Sequence, residues 1–378
     1  MPLSANPIHM TLMIGPAVPV PVSSEILDAL TQVEVTTNTR GPSVFQLTFN
    51  LSNRSPLHTI FLLSAGAAVP LMRVVIVVTI NGTPDVLIDG VMTDHQIAPG
   101  SDSGHSTLTI TGEDLTRVMD YIDFSGIPYP AMPVEARVAL ILAKYAVLGV
   151  VPLVIPTVLF DVPNPLERFP RQQGKDLAYI RQLAEEVGYV FYLTPGPAPG
   201  MSIAYWGPEV KIGVPQPALT INMDAHTNVE TLSFQFNTEQ ATLPIVFIQE
   251  PITKATIPIP IPNVSLLNPP LGLIPPIPKN FELITDTARL SFVQAALRGV
   301  ARAAQSTDAV AGQGSLNVLR YGRALKARQL VGVRGAGMAF DGLYYVDRVT
   351  HTLKRGEYKQ SFGLSRNGLV SIVPQVPA

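Results

Sequence analysis

The chain carries six imidazoles, His9, His58, His95, His105, His226 and His351. A metal centre needs such rings close together, most simply at i and i+4 on one helix face with carboxylates alongside. No two histidines have that spacing and no carboxylate set accompanies them, so no metal site is expected. Two acid pairs, Glu113/Asp114 and Glu185/Glu186, are the residue types that glycosidic hydrolysis uses. Adjacent residues on a helix point in different directions, so both pairs are expected as solvated helix surface. Gly100-Ser101-Asp102-Ser103-Gly104 places Asp102 where a nucleophile elbow has its serine, and it reads as a polar turn. Gly335-Ala336-Gly337 lacks the third glycine of a dinucleotide loop because position 340 is Phe340. The absence of cysteine excludes disulfides, thiol nucleophiles and Cys-ligated zinc or iron–sulfur groups. No catalytic constellation, cofactor site or metal site is predicted.

What remains is basic and apolar surface. Arg320, Arg323, Lys326, Arg328 and Arg334, with Tyr321 among them, could touch phosphates. Their alternation with Leu319, Leu325 and Leu330 equally fits one face of packed structure. Residues 251–278 hold nine prolines and one charge, Lys254. Because proline has no amide hydrogen, Ile257-Pro258-Ile259-Pro260-Ile261-Pro262 is expected to run as polyproline II or an irregular arm. Its apolar residues, Ile257, Ile259, Ile261, Leu266, Leu267 and Leu271, are candidates to lie on a neighbouring subunit, as are Arg320, Arg323, Lys326 and Arg328; a stiff spacer is the alternative.

The elements that would position these residues are mostly strands. From Ile8 to Thr111 short runs alternate with period two, as in Phe45-Gln46-Leu47-Thr48-Phe49 and Thr107-Leu108-Thr109-Ile110-Thr111, the pattern of a β-barrel or sandwich. A short helix over Ser24–Leu30 interrupts it, Asp85–Asp89 and Gly100–Gly104 mark turns or strand edges, and a helix around Glu113–Tyr121 leads out. Pro133 suits a first helical position, with Val134, Val138, Ile141, Leu142, Tyr145 and Leu148 on one face. Leu177, Ile180, Ala184 and Val187 predict an amphipathic helix over 175–187 that Gly188 ends. Strands at Tyr189–Leu193 and Ser202–Trp206, then Val229–Phe236 and Ile245–Gln249, a helix over Thr287–Gln305 and final strands from Ser315 to Leu364 complete the pattern. The expected fold is mainly β with an α/β insertion (α+β), two similar tube-type β-barrels flanking a small α/β domain. The divisions are 1–121, 122–218 and 219–378, the last containing the Pro-rich arm 251–278. Asp85 and His95, each echoed 256 residues later by Asp341 and His351, hint at duplication.

Composition bounds the setting. With 378 residues the chain can build two to four domains. Only 14% of residues are charged while 47% are hydrophobic and 36 are proline, which points to surface hidden in an assembly. The formal net charge of −2 supplies no overall attraction for nucleic acid or anionic membranes. Residues 286–378 nevertheless hold 13 Lys and Arg against 5 Asp and Glu, leaving 13 against 23 in residues 1–285, so the two parts suit facing each other or lining an anionic path. The N-terminus lacks a basic region followed by an apolar run, and no cleaved export signal is expected. Ile60–Ile80 and Val138–Phe160 approach spanning length but are broken by Pro70, Arg73, Lys144, Pro152 and Pro156; both are expected as buried core, with no membrane insertion.

Three regions carry a family likeness. The run Leu319-Arg320-Tyr321-Gly322-Arg323-Ala324-Leu325, Asp341-Gly342-Leu343-Tyr344-Tyr345-Val346, Val349-Thr350-His351 and Gly356-Glu357-Tyr358-Lys359-Gln360-Ser361-Phe362 resembles baseplate hub proteins of contractile tails and injection systems, the phage late control protein D family. Ser106–Leu115 and Gly174–Tyr189 are similar to the same family, in the same order along the chain. The resemblance implies a non-enzymatic homotrimer whose two barrels per chain form a pseudo-sixfold ring. Such a ring would seat a hexameric inner tube or tube-initiator protein on one face and a trimeric spike on the other, with baseplate wedge proteins around it. Because no needle-like β-repeat follows, the spike is expected to be a separate polypeptide. Nucleic acid would enter only as cargo in the lumen, and assembly is expected in the bacterial cytoplasm. A tail-associated wall hydrolase and a DNA-contacting channel protein are the competing readings; the particle could be a phage, a tailocin or a toxin-injecting device.

Overall fold

The computed structural model describes residues 8–16, 18–51, 71–99, 106–157, 170–240, 242–249, 256–260, 269–284, 299, 308–373 and 376. The chain begins with β1 (Ile8–Pro16), β2 (Val20–Pro21), α1 (Ser24–Ala29), β3 (Leu30–Asn38), β4 (Val44–Leu51), β5 (Met72–Ile80), β6 (Thr83–Pro99) and β7 (Ser106–Asp114). Hydrogen bonding arranges them as β3-β4-β7-β6-β5-β1, with β2 on the outer side of β1. Alternation decides the faces: Phe45, Leu47, Phe49 and Leu51 of β4 are buried, whereas Gln46 and Asn50 are exposed. Val74 to Val78 of β5 are buried on both faces, Val74, Ile76 and Val78 in the main core and Val75 and Val77 against Val86 and Met13.

That middle part starts at a 3-10 turn, Leu115–Asp120, and contains α2 (Val134–Ala143), β8 (Val150–Val154), α3 (Asp176–Val187), β9 (Tyr189–Pro195) and β10 (Ser202–Pro208). The strands form a small sheet, β8-β10-β9, and the helices cover it around Trp206, which is fully buried. Leu177, Ile180 and Ala184 of α3 face this core, and Gly188 ends the helix at φ 76°, a left-handed conformation that glycine adopts without strain.

After it come β11 (Gln216–Thr220), β12 (Val229–Phe236), β13 (Thr242–Gln249), β14 (Thr256–Pro260), β15 (Gly272–Ile274), β16 (Asn280–Ile284), β17 (Val310–Asn317), α4 (Val318–Tyr321), β18 (Leu330–Arg334), β19 (Gly342–Lys354), β20 (Glu357–Arg366) and β21 (Leu369–Ser371). Six of these strands repeat the first arrangement: β12-β17-β20-β19-β18-β11 matches β3-β4-β7-β6-β5-β1 position for position. Even the irregularities recur. A bulge lies between Leu30 and Gln32 of β3 and between Val229 and Thr231 of β12; another lies between Met92 and Asp94 of β6 and between Val346 and Arg348 of β19. A bulge pins register, since one extra residue flips every side chain beyond it. The units differ in one ladder, because β1 runs antiparallel to β5 but β11 runs parallel to β18. They also share a strand pair: β3 lies against the distal half of β19, so the two units form one continuous thirteen-stranded sheet over a common core.

Several expectations need correction. The strand order repeats, but the bulge-anchored register matches His351 to Ile97 and His95 to Val349, so the histidine echo is two residues out of step with it. Asp85–Asp89 lies inside β6, not at a turn, because the turn falls at Asn81-Gly82. Glu113 and Asp114 end β7, and Asp114 is no surface acid. It is buried and caps the 3-10 turn, accepting hydrogen bonds from the Ser43 and Thr116 amides at 2.7 and 3.0 Å. Pro133 caps α2 from outside its first turn. In the stretch expected as core, Val147 is exposed in a 3-10 turn, and Val151 and Leu153 are exposed on β8, which lies at one edge of its small sheet. The Pro-rich run is neither polyproline II nor irregular at Thr256–Pro260, which pairs antiparallel with β13, Ile257 opposite Ile248 and Ile259 opposite Val246. Proline at alternate positions of an edge strand turns every missing amide to the open side, so the inner ladder survives. Gly100–Gly104, Ile60–Pro70, nearly all of Thr287–Gln305, and Ile261, Leu266 and Leu267 lie outside the described residues.

Candidate assembly interface

The site of interest is the seam between the two β units. Arg348 to Lys354 of β19 run opposite Asn38 to Gln32 of β3, a pairing of residues more than 300 positions apart. Across it the Thr36 and Thr350 hydroxyls hydrogen bond at 2.9 Å. His351 sits on the inner face beside Val35, buried, with Nδ1 2.6 Å from the Tyr358 hydroxyl. Burial, with the Lys326 charge adding to it, lowers the His351 pKa to about 3, so the ring is neutral.

Charged residues brace the seam from outside. Arg328 adopts φ 63°, and its guanidinium lies 3.9 Å from the centre of the Tyr192 ring. It donates to the Asn38 carbonyl at 2.6 Å and the Leu193 carbonyl at 3.2 Å, so one side chain ties the first unit, the α/β part and the second unit together. Burial pushes its pKa down, and the Tyr192 ring and Asp114 work against that. Lys326 reaches Asp85 at 2.9 Å. Arg73, buried in β5, holds buried Asp89 through two 2.7 Å bonds and also donates to the Leu148 and Gly200 carbonyls, locking the first unit to the α/β part. Burial pushes the Asp89 carboxyl up while Arg73 pulls it down. In the second unit Lys211 donates to Asp308 at 2.7 Å beside Asp347. Burial, then the Asp308 charge, raises Asp347 to about 7.

Of the residues singled out from sequence, Arg328 and Lys326 are therefore engaged within the chain, whereas Arg320 and Arg323 are exposed near α4. Leu271 is buried against Leu330 and Tyr345 of its own chain. Ile257 is exposed and Ile259 half-buried on β14. Arg73, Asp89 and Asp114 were read from the sequence only as a break in an apolar run, a turn or strand edge and surface acid, and Tyr192 was not singled out. The only signal available was a lone arginine and a lone aspartate inside otherwise apolar strands. Among the described residues no group of three or more His, Asp and Glu could hold a metal ion, and no helix is long and apolar enough to cross a membrane.

No family model and no curated protein matches the chain. Solved structures do. The tail protein from Neisseria meningitidis MC58 superposes with a TM-score of 0.63 at 13% identity, covering 96% of this chain and 98% of its own. The 43 kDa tail protein of prophage MuSo2 from Shewanella oneidensis gives 0.59 at 13% identity, covering 95% and 98%. A type VI secretion component of E. coli, described as structurally similar to the T4 tail proteins gp27 and gp5, gives 0.55 at 12% identity over 91% of this chain and 76% of that one. The fold defines a class: this chain has the architecture of those phage tail proteins and of the type VI secretion component.

Proposed function

We propose that the chain is the structural baseplate hub of a contractile tail or contractile injection particle. Three copies form a ring in which each chain contributes two quasi-equivalent β units, so threefold symmetry is presented as six similar positions. One face seats the hexameric inner tube or its initiator, the other a trimeric spike, and baseplate wedge proteins bind outside. The observation that carries this reading is the repeated six-strand order, bulges included, within one sheet. Likeness to tail proteins over nearly the whole chain supports it. The low charge and high proline content fit a subunit with broad apolar contacts. Any anionic cargo path would use exposed Arg320 and Arg323, since Arg328 is spent on internal bracing. Segment 251–278 acts as an arm on a neighbouring subunit or the spike, with exposed Ile257 as its contact.

Native mass spectrometry of the chain, alone and with its spike co-expressed, tests the reading. A trimer near three times 40.6 kDa is expected in at least one sample. A strict monomer in both would overturn it.

A further inference from the structure

The core shared by the two β units ends in a socket. A cavity of about 220 Å³ lies where the seam between β3 and β19 runs out, at the pair Gln32 and Lys354. Its walls are apolar: Met10 of β1, Leu27 of α1, Val33 of β3, Leu353 of β19 and Tyr358 of β20, with Leu319 of α4, 46% exposed, at the mouth. Arg355 in the turn between β19 and β20 reaches across to α1, donating to the Asp28 carbonyl at 2.7 Å and its carboxylate at 3.1 Å, and so holds the rim in place.

We propose that this socket docks a segment of a partner protein that presents an aromatic side chain beside an acidic one. The ring enters against Tyr358 and the carboxylate meets Lys354. The inference does not depend on the trimeric reading above, and its failure would leave that reading standing.

Size, charge and backbone select this occupant. An apolar cavity of about 150 Å³ already holds a benzene ring, so this larger one has room for the ring of a phenylalanine. Tyr358, fixed by the bond between its hydroxyl and His351, offers the guest an aromatic neighbour. Of the charged residues lining the socket, Arg355 is engaged by Asp28 and Glu357 by Lys359, whereas Lys354 is exposed and has no ion pair among the described residues. Arg320, exposed and next to Leu319 in the chain, adds positive charge. An apolar hole with unbalanced positive charge at its rim complements a segment that is aromatic and acidic. The bulge in β3 leaves exposed Thr31, another lining residue, outside the ladders with both β4 and β19, so main-chain groups stand where a visiting backbone can bond them.

Three blocked peptides and the full-length chain test this by ligand-observed NMR, which registers weak fragments. Acetyl-Glu-Phe-amide should bind. Acetyl-Glu-Ala-amide, without the ring, should bind about tenfold more weakly, and acetyl-Lys-Phe-amide, with the charge reversed, about fivefold more weakly. Lys354→Glu, at an exposed position, should keep the circular dichroism of the parent and invert the preference between the two phenylalanine peptides. If acetyl-Glu-Phe-amide fails to bind, or if Lys354→Glu leaves the preference as it was, the socket is not the site and the proposal is overturned. Binding to monomers that vanishes in trimers would make a second copy the occupant and overturn the assignment to a partner protein. Native mass spectrometry judges the hub reading separately from each of these outcomes.

Discussion

The two β units have one topology and fill it in opposite ways. In the first, Phe45 of β4 lies opposite Gly112 of β7, and a β-carbon on Gly112 would collide with the Phe45 ring and the Val91 carbonyl. At the same place in the second, Gly312 of β17 lies opposite Leu364 of β20, and a β-carbon there would come within 2.8 Å of the Phe234 ring. The bulk has moved across the pair. The outward residues of these strands agree instead: Gln46, Thr48 and Asn50 stand where Gln313, Ser315 and Asn317 stand. A close-packed core constrains total volume at a cross-strand pair more than it constrains which strand supplies it.

Buried charge separates the units too. The first buries the two-point ion pair Arg73–Asp89, and its other buried acid, Asp114, accepts from the Ser43 and Thr116 amides. In the second, Asp308 and Asp347 lie beside Lys211, and burial, then the Asp308 charge, raises the Asp347 pKa to about 7.

The most damaging change is deletion of 342–364. It removes the central hairpin of the second unit and the strand that β3 of the first pairs with, and no assembled baseplate particle should form. Normal particles from that deletion would show that the units do not depend on each other. Next, Arg73→Met strands Asp89 in an apolar site and should cost about 3–5 kcal/mol in urea unfolding, whereas Arg348→Met in the second unit, at an exposed position, should cost under about 0.5 kcal/mol. Equal costs would erase the contrast in bracing.

The pH dependence sharpens it. The Asp347 pKa is raised on folding, so its contribution is fully present below pH ~4 and is lost as pH rises towards 7, by on the order of 2–4 kcal/mol. His351 has the reverse sign: its pKa is lowered to about 3, and its contribution is lost as pH falls below about 6.5. Asp347→Asn should abolish the loss of stability between pH 4 and 7, and an unchanged profile would place the sensitivity elsewhere. Gly112→Ala should cost about 1–3 kcal/mol, and pairing it with Phe45→Gly should recover part of that by imitating the second unit. The smallest effect belongs to Lys326→Ala. Its half-exposed pair with Asp85 is worth about 0–1 kcal/mol, read as a shift of the unfolding midpoint that added salt diminishes.

Much of this architecture was legible locally. Period-two alternation located β4 and β7, period 3.6 located α2 and α3, and Gly188 marked the end of α3. The Pro-rich strand β14 was misread because proline's missing amide forbids a two-sided ladder but not a one-sided one, and only the partner β13 shows which side is used. The repeat showed faintly as a histidine echo. Its true register needed the bulges, which depend on how neighbouring strands pair.

For this chain, then, alternation, helix caps, the lack of cysteine and the order of three familiar motifs settled the mainly-β class and the tail-protein likeness, since these features act through residues a few positions apart. The seam between β3 and β19 and the reach of Arg328 across three parts of the molecule were decided by tertiary structure. A strand edge is made of backbone amides and carbonyls common to every residue, so sequence does not say which edges meet; packing of the whole sheet does.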